Sequence, residues 1–255
     1  MKRLLLLIII CFSYMQSQAV STTVTTPLKG MQQVWIYGNT TTPSSVVIVL
    51  SGDGGWILGV VDVAKNLAHH NAMVIGVSSK WYMMYLRKQH AGCYSLAADF
   101  EKLGKYIEKK YQIQYLKPII LGYSSGATLA YGILAQAPEH TFQGAISLGF
   151  CSDLNIKVPL CERGDLECHK LVKKKGFDLS PVKNLKDPFI VLQGTNDKTC
   201  QLCLAKDFVS QTPNSELFEL NKIQHGALTL KKWIPKIIEA YELILNHKSM
   251  ISNNV

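Results

Sequence analysis

Gly122-Tyr123-Ser124-Ser125-Gly126 sets a serine two residues from a glycine on either side. The apolar run Pro118–Leu121 leads into it and a helical stretch, Ser125–Gln136, follows. A GxSxG at a strand-to-helix turn is a nucleophile elbow: the sharp turn lifts the serine Oγ above the edge of a sheet, and the glycines leave room for the neighbouring backbone. A serine hydroxyl attacks only when a base takes its proton. His225, in Gln224-His225-Gly226, follows the last strand-like run and suits that role. The other histidines fit worse: His69 and His70 end an early helix, His90 and His140 lie in connections, His169 lies in the irregular segment 151–187, and His247 trails the closing helix. An acid must orient the imidazole. Asp197 follows the run Phe189–Leu192 in Gln193-Gly194-Thr195-Asn196-Asp197 and is the first candidate, with Asp153 the alternative. The order Ser, Asp, His is the one this arrangement needs. Acyl transfer also requires donors for a developing oxyanion. The Ser125 N–H supplies one, and the Asp53 N–H, in Ser51-Gly52-Asp53-Gly54-Gly55-Trp56, the other. Asp53, Trp56 and Asp153 are candidate substrate contacts. A phosphate-binding loop is disfavoured, because neither GxGxxG nor GxxxxGK[ST] is present.

These residues need a scaffold, and the patterning supplies one. Val34–Tyr37, Val46–Leu50, Val74–Val77, Pro118–Leu121, Ala145–Leu148, Phe189–Leu192 and Leu217–Leu220 read as strands. Val60–His69, Ser95–Lys110, Ser125–Gln136 and Leu230–Leu245 read as helices, the last open to a kink at Pro235. Strands alternating with helices predict a mostly parallel sheet covered on both faces. With the elbow, the expected fold is an α/β-hydrolase domain over 33–250, preceded by a flexible, Thr-rich lead-in at 20–32. The segment 151–187 breaks the rhythm. It holds three cysteines and seven lysines with little periodicity, and is expected to be a small cysteine-rich cap.

Apolar residues at 47% and charged residues at 18% supply a core and exclude a disordered chain. Lys2 and Arg3 followed by apolar Leu4–Tyr14 and small residues at Ser17 and Ala19 read as a signal peptide over 1–19, so export to the periplasm is expected. The apolar run is short for a membrane span. Export leaves six cysteines, Cys93, Cys151, Cys161, Cys168, Cys200 and Cys203, expected in disulfides, with Cys161–Cys168 a plausible local clasp. Cys200 and Cys203 have CxxC spacing, but no second pair or paired histidine accompanies them, so no metal or cofactor is called for. Without Lys2 and Arg3, 25 basic residues face 18 acidic ones, a net charge of +7. Outside the cytoplasm that charge points to an anionic membrane surface and away from nucleic acid.

The Leu50–Trp56 loop, Gly76-Val77 leading to Lys80-Trp81-Tyr82, and the Gly122–Gly126 elbow resemble the bacterial virulence family VirJ/AcvB, from about Val46 to the final helix. Two features depart from that pattern: Ser125 stands where a bulkier elbow residue such as Phe is expected, and the cysteine-rich cap is longer than usual. The resemblance implies a periplasmic protein linked to virulence and envelope homeostasis, hydrolysing aminoacylated, chiefly lysyl, phosphatidylglycerol. It also implies secretion-system components as partners. The expectation is therefore a serine esterase acting on an aminoacyl phospholipid; the alternatives are a generic carboxylesterase or lipase, and a non-catalytic scaffold assisting type IV secretion.

Overall fold

The computed structural model describes residues 21–90 and 92–252, so the expected signal peptide lies outside the described residues. Eight strands form the main sheet. In chain order they are β1 (Thr22–Thr25), β2 (Gln33–Gly38), β3 (Ser45–Leu50), β4 (Ala72–Val77), β5 (Ile119–Tyr123), β6 (Gly144–Leu148), and then β10 (Phe189–Gly194) and β11 (Ser215–Leu220). Their order across the sheet is β1-β2-β4-β3-β5-β6-β10-β11. From β4 to β11 every pairing is parallel, whereas β1–β2 and β2–β4 are antiparallel. Within the expected lead-in at 20–32, Thr22–Thr25 form a strand. The Thr-rich run becomes an edge strand because Val24 buries one face and Thr26 Oγ1 donates to the Met31 carbonyl at 2.7 Å, closing the hairpin.

The central strands are apolar on both faces, as a covered parallel sheet demands. Along β3, Val46, Ile48 and Leu50 face one core, while Val47 and Val49 face the other. The first core is closed by α2 (Ser79–Leu86), α3 (Leu96–Tyr111), α4 (Ser125–Gln136) and α5 (Leu202–Ser210). The second is closed by α1 (Val60–His69), the 3-10 helix Ala227–Trp233 and α6 (Ile234–Ser252). The expected Leu230–Leu245 helix is divided because Pro235 cannot donate to a preceding turn and suits the first turn of a new helix. The short helices α2 and α5 escape the sequence pattern. Burial and hydrogen bonding fasten α2: Tyr82 OH donates to Asp99 Oδ2 on α3 at 3.0 Å, and Tyr94 OH donates to the same oxygen. Burial, with Asp99 alongside, pushes both phenols well above their ordinary pKa, so they act as neutral donors. No helix among the described residues is long and apolar enough to cross a membrane.

The cysteine-rich segment forms a three-stranded antiparallel sheet in the order β7 (Asp153–Leu154), β9 (Phe177–Leu179), β8 (Cys168–Lys170). It is anchored to the body: Leu154, Ile156, Leu160, Leu166 and Leu179 bury into the core shared with α3 and α4. Tyr131 OH on α4 donates to the Ser180 carbonyl at 2.8 Å and accepts from Val182 N–H at 2.9 Å. The disulfides are Cys93–Cys161 and Cys151–Cys200, so Cys161 reaches across to the start of α3 and does not clasp Cys168. Cys168 and Cys203 are free thiols, which corrects the expectation that all six cysteines are paired. Burial raises the Cys168 thiol pKa, making it less reactive. Titration of unreduced protein after removal of residues 1–19 should give two thiols per chain when denatured. In the native state exposed Cys203 should react first. Zero or six thiols would contradict this pairing.

Candidate active site

The elbow is built by close packing. A Cβ at position 122 would fall 1.9 Å from the Gly126 carbonyl oxygen, and one at position 126 would fall 2.4 Å from the Ser51 carbonyl oxygen. Only glycine lets β5 turn into α4 at that distance. The turn forces Ser124 to φ 56° and ψ −122°. Such a conformation costs about 1–3 kcal/mol and persists only where its surroundings hold it. Here Ser124 N–H donates to Leu148 O at 2.9 Å, while Ala127 N–H donates to Ser124 O at 2.7 Å.

From this position Ser124 Oγ lies 2.9 Å from His225 Nε2. His225 Nδ1 in turn lies 2.7 Å from Asp197 Oδ2. The three side chains come from β5, the loop after β11 and the loop after β10, and meet at the C-terminal edge of the parallel strands. Asp197 is fully shielded from solvent at its side chain. Oδ1 accepts N–H groups from Thr199 at 2.9 Å and Cys200 at 2.8 Å, and Oδ2 also accepts from Gln193 Nε2 at 3.1 Å. Gln193 meanwhile donates to the Cys200 carbonyl at 2.5 Å and accepts from Phe150 N–H at 2.8 Å through Oε1. The Cys151–Cys200 disulfide ties the same loop to the residue following Phe150. The ring of Tyr123 stacks on the imidazole, with centroids 5.5 Å apart. Burial first, and then the Asp197 charge, push its phenol up to about 12. It flanks the histidine as a neutral ring across the physiological range. An imidazole so held can take the Ser124 proton, and the carboxylate can stabilise the cation that forms.

Ser124 opens into a cleft of about 540 Å³ lined by Asp53, Lys80, Arg87, Ser125, Asp153 and Lys174, among others. Asp53 and Ser125 therefore line the same cleft as Ser124, and the Asp53 loop passes close to it: a Cβ on Gly52 would fall 3.3 Å from Ser124 Cβ. Ser125 begins α4, where the first N–H groups have no intrahelical partner. Asp153 also lines the cleft, but it is engaged by Lys174 Nζ at 2.7 Å and takes no part in the histidine's hydrogen bonding. Trp56 does not line the cleft. Its indole is buried, stacks on Trp35 with centroids 5.2 Å apart, and donates to Tyr37 OH at 3.1 Å on the other face of the sheet. The sequence pattern also missed Gln193, Tyr123 and Arg87. Tyr123 occupies a position that the GxSxG pattern leaves unspecified, and no local motif marks Gln193 or Arg87, whose partners lie far away in the chain.

This strand order, with an elbow serine after β5 and a histidine after β11, is the α/β-hydrolase fold. Solved structures share it. A Klebsiella pneumoniae subsp. pneumoniae MGH 78578 protein described as a dienelactone hydrolase is similar with a TM-score of 0.59 and 13% identity, over 87% of this chain and 96% of that one. A Thermoplasma acidophilum protein described as a CIB-like hydrolase is similar with a TM-score of 0.54 and 14% identity, over 92% of this chain and 99% of that one. Residues 44–158 match the family model described as Bacterial virulence protein (VirJ), a stretch running from β3 through the elbow into the cap. Asp197 and His225 lie beyond that stretch, so their place beside Ser124 rests on geometry. No curated protein sequence matches the chain.

If Asp197 orients the imidazole, Asp197→Asn should lower kcat on the order of ten-thousandfold, because an amide Nδ2 would face a donor and favour the wrong tautomer. Asp153→Asn should leave kcat within a fewfold. The opposite ranking in ester hydrolysis would reverse the assignment.

Proposed function

We propose that the chain is a periplasmic serine esterase that hydrolyses aminoacyl phosphatidylglycerol, the lysyl ester foremost. The observation that carries the esterase reading is the hydrogen-bonded series Ser124–His225–Asp197 opening on a cleft. Ser124 Oγ attacks the ester carbonyl as His225 Nε2 takes its proton, and Asp197 steadies the imidazolium. The N–H groups of Ser125 and Asp53 receive the tetrahedral oxyanion. Collapse expels the lipid's glycerol hydroxyl, protonated by His225, and leaves an aminoacyl ester on Ser124. Water, deprotonated by the same imidazole, then releases the free amino acid.

The charges of the cleft support this substrate. Asp53 makes no ion pair among the described residues, so a carboxylate beside the nucleophile is open to an ammonium group. Lys80 and Arg87 likewise have no carboxylate partner there; Arg87 Nε donates to the Asn155 carbonyl at 3.0 Å. A lysyl phosphatidylglycerol carries its ammonium groups on the acyl side of the scissile bond and its phosphodiester on the alcohol side. It therefore presents positive charge on one side of that bond and negative charge on the other, where the cleft offers the opposite ones. Two disulfides, and the resemblance to an exported family, support the periplasmic assignment.

The test is release of lysine from detergent-dispersed lysyl phosphatidylglycerol, measured by mass spectrometry beside a neutral short-chain ester. Wild type should cleave both, and Ser124→Ala should lose several orders of magnitude on each. Asp53→Asn should slow lysyl-lipid cleavage about tenfold or more while sparing the neutral ester, as expected for loss of one charged contact. Cleavage of the plain ester alone would make the protein a generic carboxylesterase.

A further inference from the structure

Most large apolar side chains exposed among the described residues lie on one edge of the molecule. Ile57 and Leu58 follow β3, Trp81 and Met84 lie on α2 after β4, and Leu228 follows β11. Val172 tips the cap hairpin after β6, and Leu204 lies on α5 after β10. In a parallel sheet, segments leaving the C-terminal ends of the strands emerge on the same side, so topology places all seven beside the edge that holds Ser124. By contrast, exposed Tyr115 lies just before β5, at the opposite end, and Leu243 lies on α6. Two of these loops touch directly. A Cβ on Gly59 would meet Ala227 Cβ at 2.8 Å, which joins the Ile57–Leu58 loop to Leu228, three residues after His225. Ile57 at 82%, Val172 at 98% and Leu228 at 96% exposure have almost no covering at all. A protein surface rarely leaves such side chains grouped in water without a partner.

Cations surround this rim. Lys80 and Arg87 stand in the cleft, and Lys173 and Lys175 flank Lys174 at the Val172 hairpin. Lys231 and Lys232 follow Leu228. The opposing carboxylates are few: Asp153 is held by Lys174 and Asp62 by Lys231, while Asp53 sits inside the cleft. Apolar tips with a basic surround complement a bilayer, in which acyl chains lie beneath a layer of anionic headgroups.

We propose that this edge is a membrane-docking surface: Ile57, Val172 and Leu228 insert into the outer part of an anionic bilayer, while the surrounding lysines contact its headgroups. The inference takes the edge as the active-site mouth from the reading above, and docking would set Ser124 against the headgroup layer. The apolar tips supply a part of the binding that salt does not screen, and the lysines supply a part that it does.

Sedimentation with vesicles of phosphatidylcholine alone, or of equal parts phosphatidylcholine and phosphatidylglycerol, tests this on the chain from residue 20 carrying Ser124→Ala. Binding is then read apart from turnover, so failure of the esterase reading does not decide the result. Binding should rise with phosphatidylglycerol and fall with salt to a residual level. Joint replacement of Ile57, Val172 and Leu228 by Ser should reduce that residual binding by about tenfold or more. Lys173→Gln with Lys175→Gln should reduce the salt-sensitive part and keep the salt-resistant remainder. Circular dichroism should be unchanged in both variants, because every replaced side chain is exposed. With Ser124 restored, both should hydrolyse a soluble short-chain ester like wild type. Equal vesicle binding by wild type and the triple Ser variant would overturn the proposal. So would absence of vesicle binding by wild type, or a dimer in solution that the triple substitution dissociates.

Discussion

The site depends on how closely backbone can approach backbone at the elbow. Gly122 packs against the Gly126 peptide, and Gly126 in turn packs against the carbonyls of Leu50 and Ser51. Any side chain at either position would separate β5 from α4, or α4 from the end of β3. With that spacing, Ser124 is held at a positive φ and its Oγ projects over the sheet edge. The same contact brings the Ser51–Trp56 loop across the nucleophile, so the proposed oxyanion donors and the attacking oxygen share one packing constraint.

The rest of the machinery hangs on the neighbouring parallel strands. Parallel pairing of β5 with β6, and of β6 with β10 and β10 with β11, delivers every loop that leaves the C-terminal end of these strands to one edge. Asp197 illustrates how such a loop is held. Two backbone N–H groups, the Gln193 amide and the His225 ring converge on one buried carboxyl, and a disulfide fixes the loop's far side. A carboxyl supported in this way needs little motion to orient the imidazole, which is what preorganised catalysis requires.

The cap shapes what can reach the serine. Its core residues are continuous with those of α3 and α4, and Cys93–Cys161 joins it to the loop before α3, so it forms a fixed wall. Lys174 and Asp153 neutralise each other on that wall, leaving Asp53, Lys80 and Arg87 as the open charges of the cleft.

The alternating apolar runs, the glycines around Ser124 and the histidine after the last strand-like run were sufficient to read the fold class and to single out Ser124 and His225 from the sequence. These are local signals: period, turn chemistry and order along the chain. The strand within the threonine-rich start is not legible in the sequence, because an edge strand stabilised by a single hairpin leaves little periodicity. Sequence order alone admits both Asp197 and Asp153 as the acid, since both follow strands; only the tertiary structure shows that one meets His225 while the other meets Lys174. Cysteine pairing was equally illegible, because Cys93 meets Cys161 through the cap's packing and not through proximity in sequence. Trp56 sits in a loop whose glycines suggested a binding surface, yet its ring turns away to stack on Trp35. In each case the deciding contact joins segments far apart in the chain, and such contacts are set by how the sheet and its layers pack.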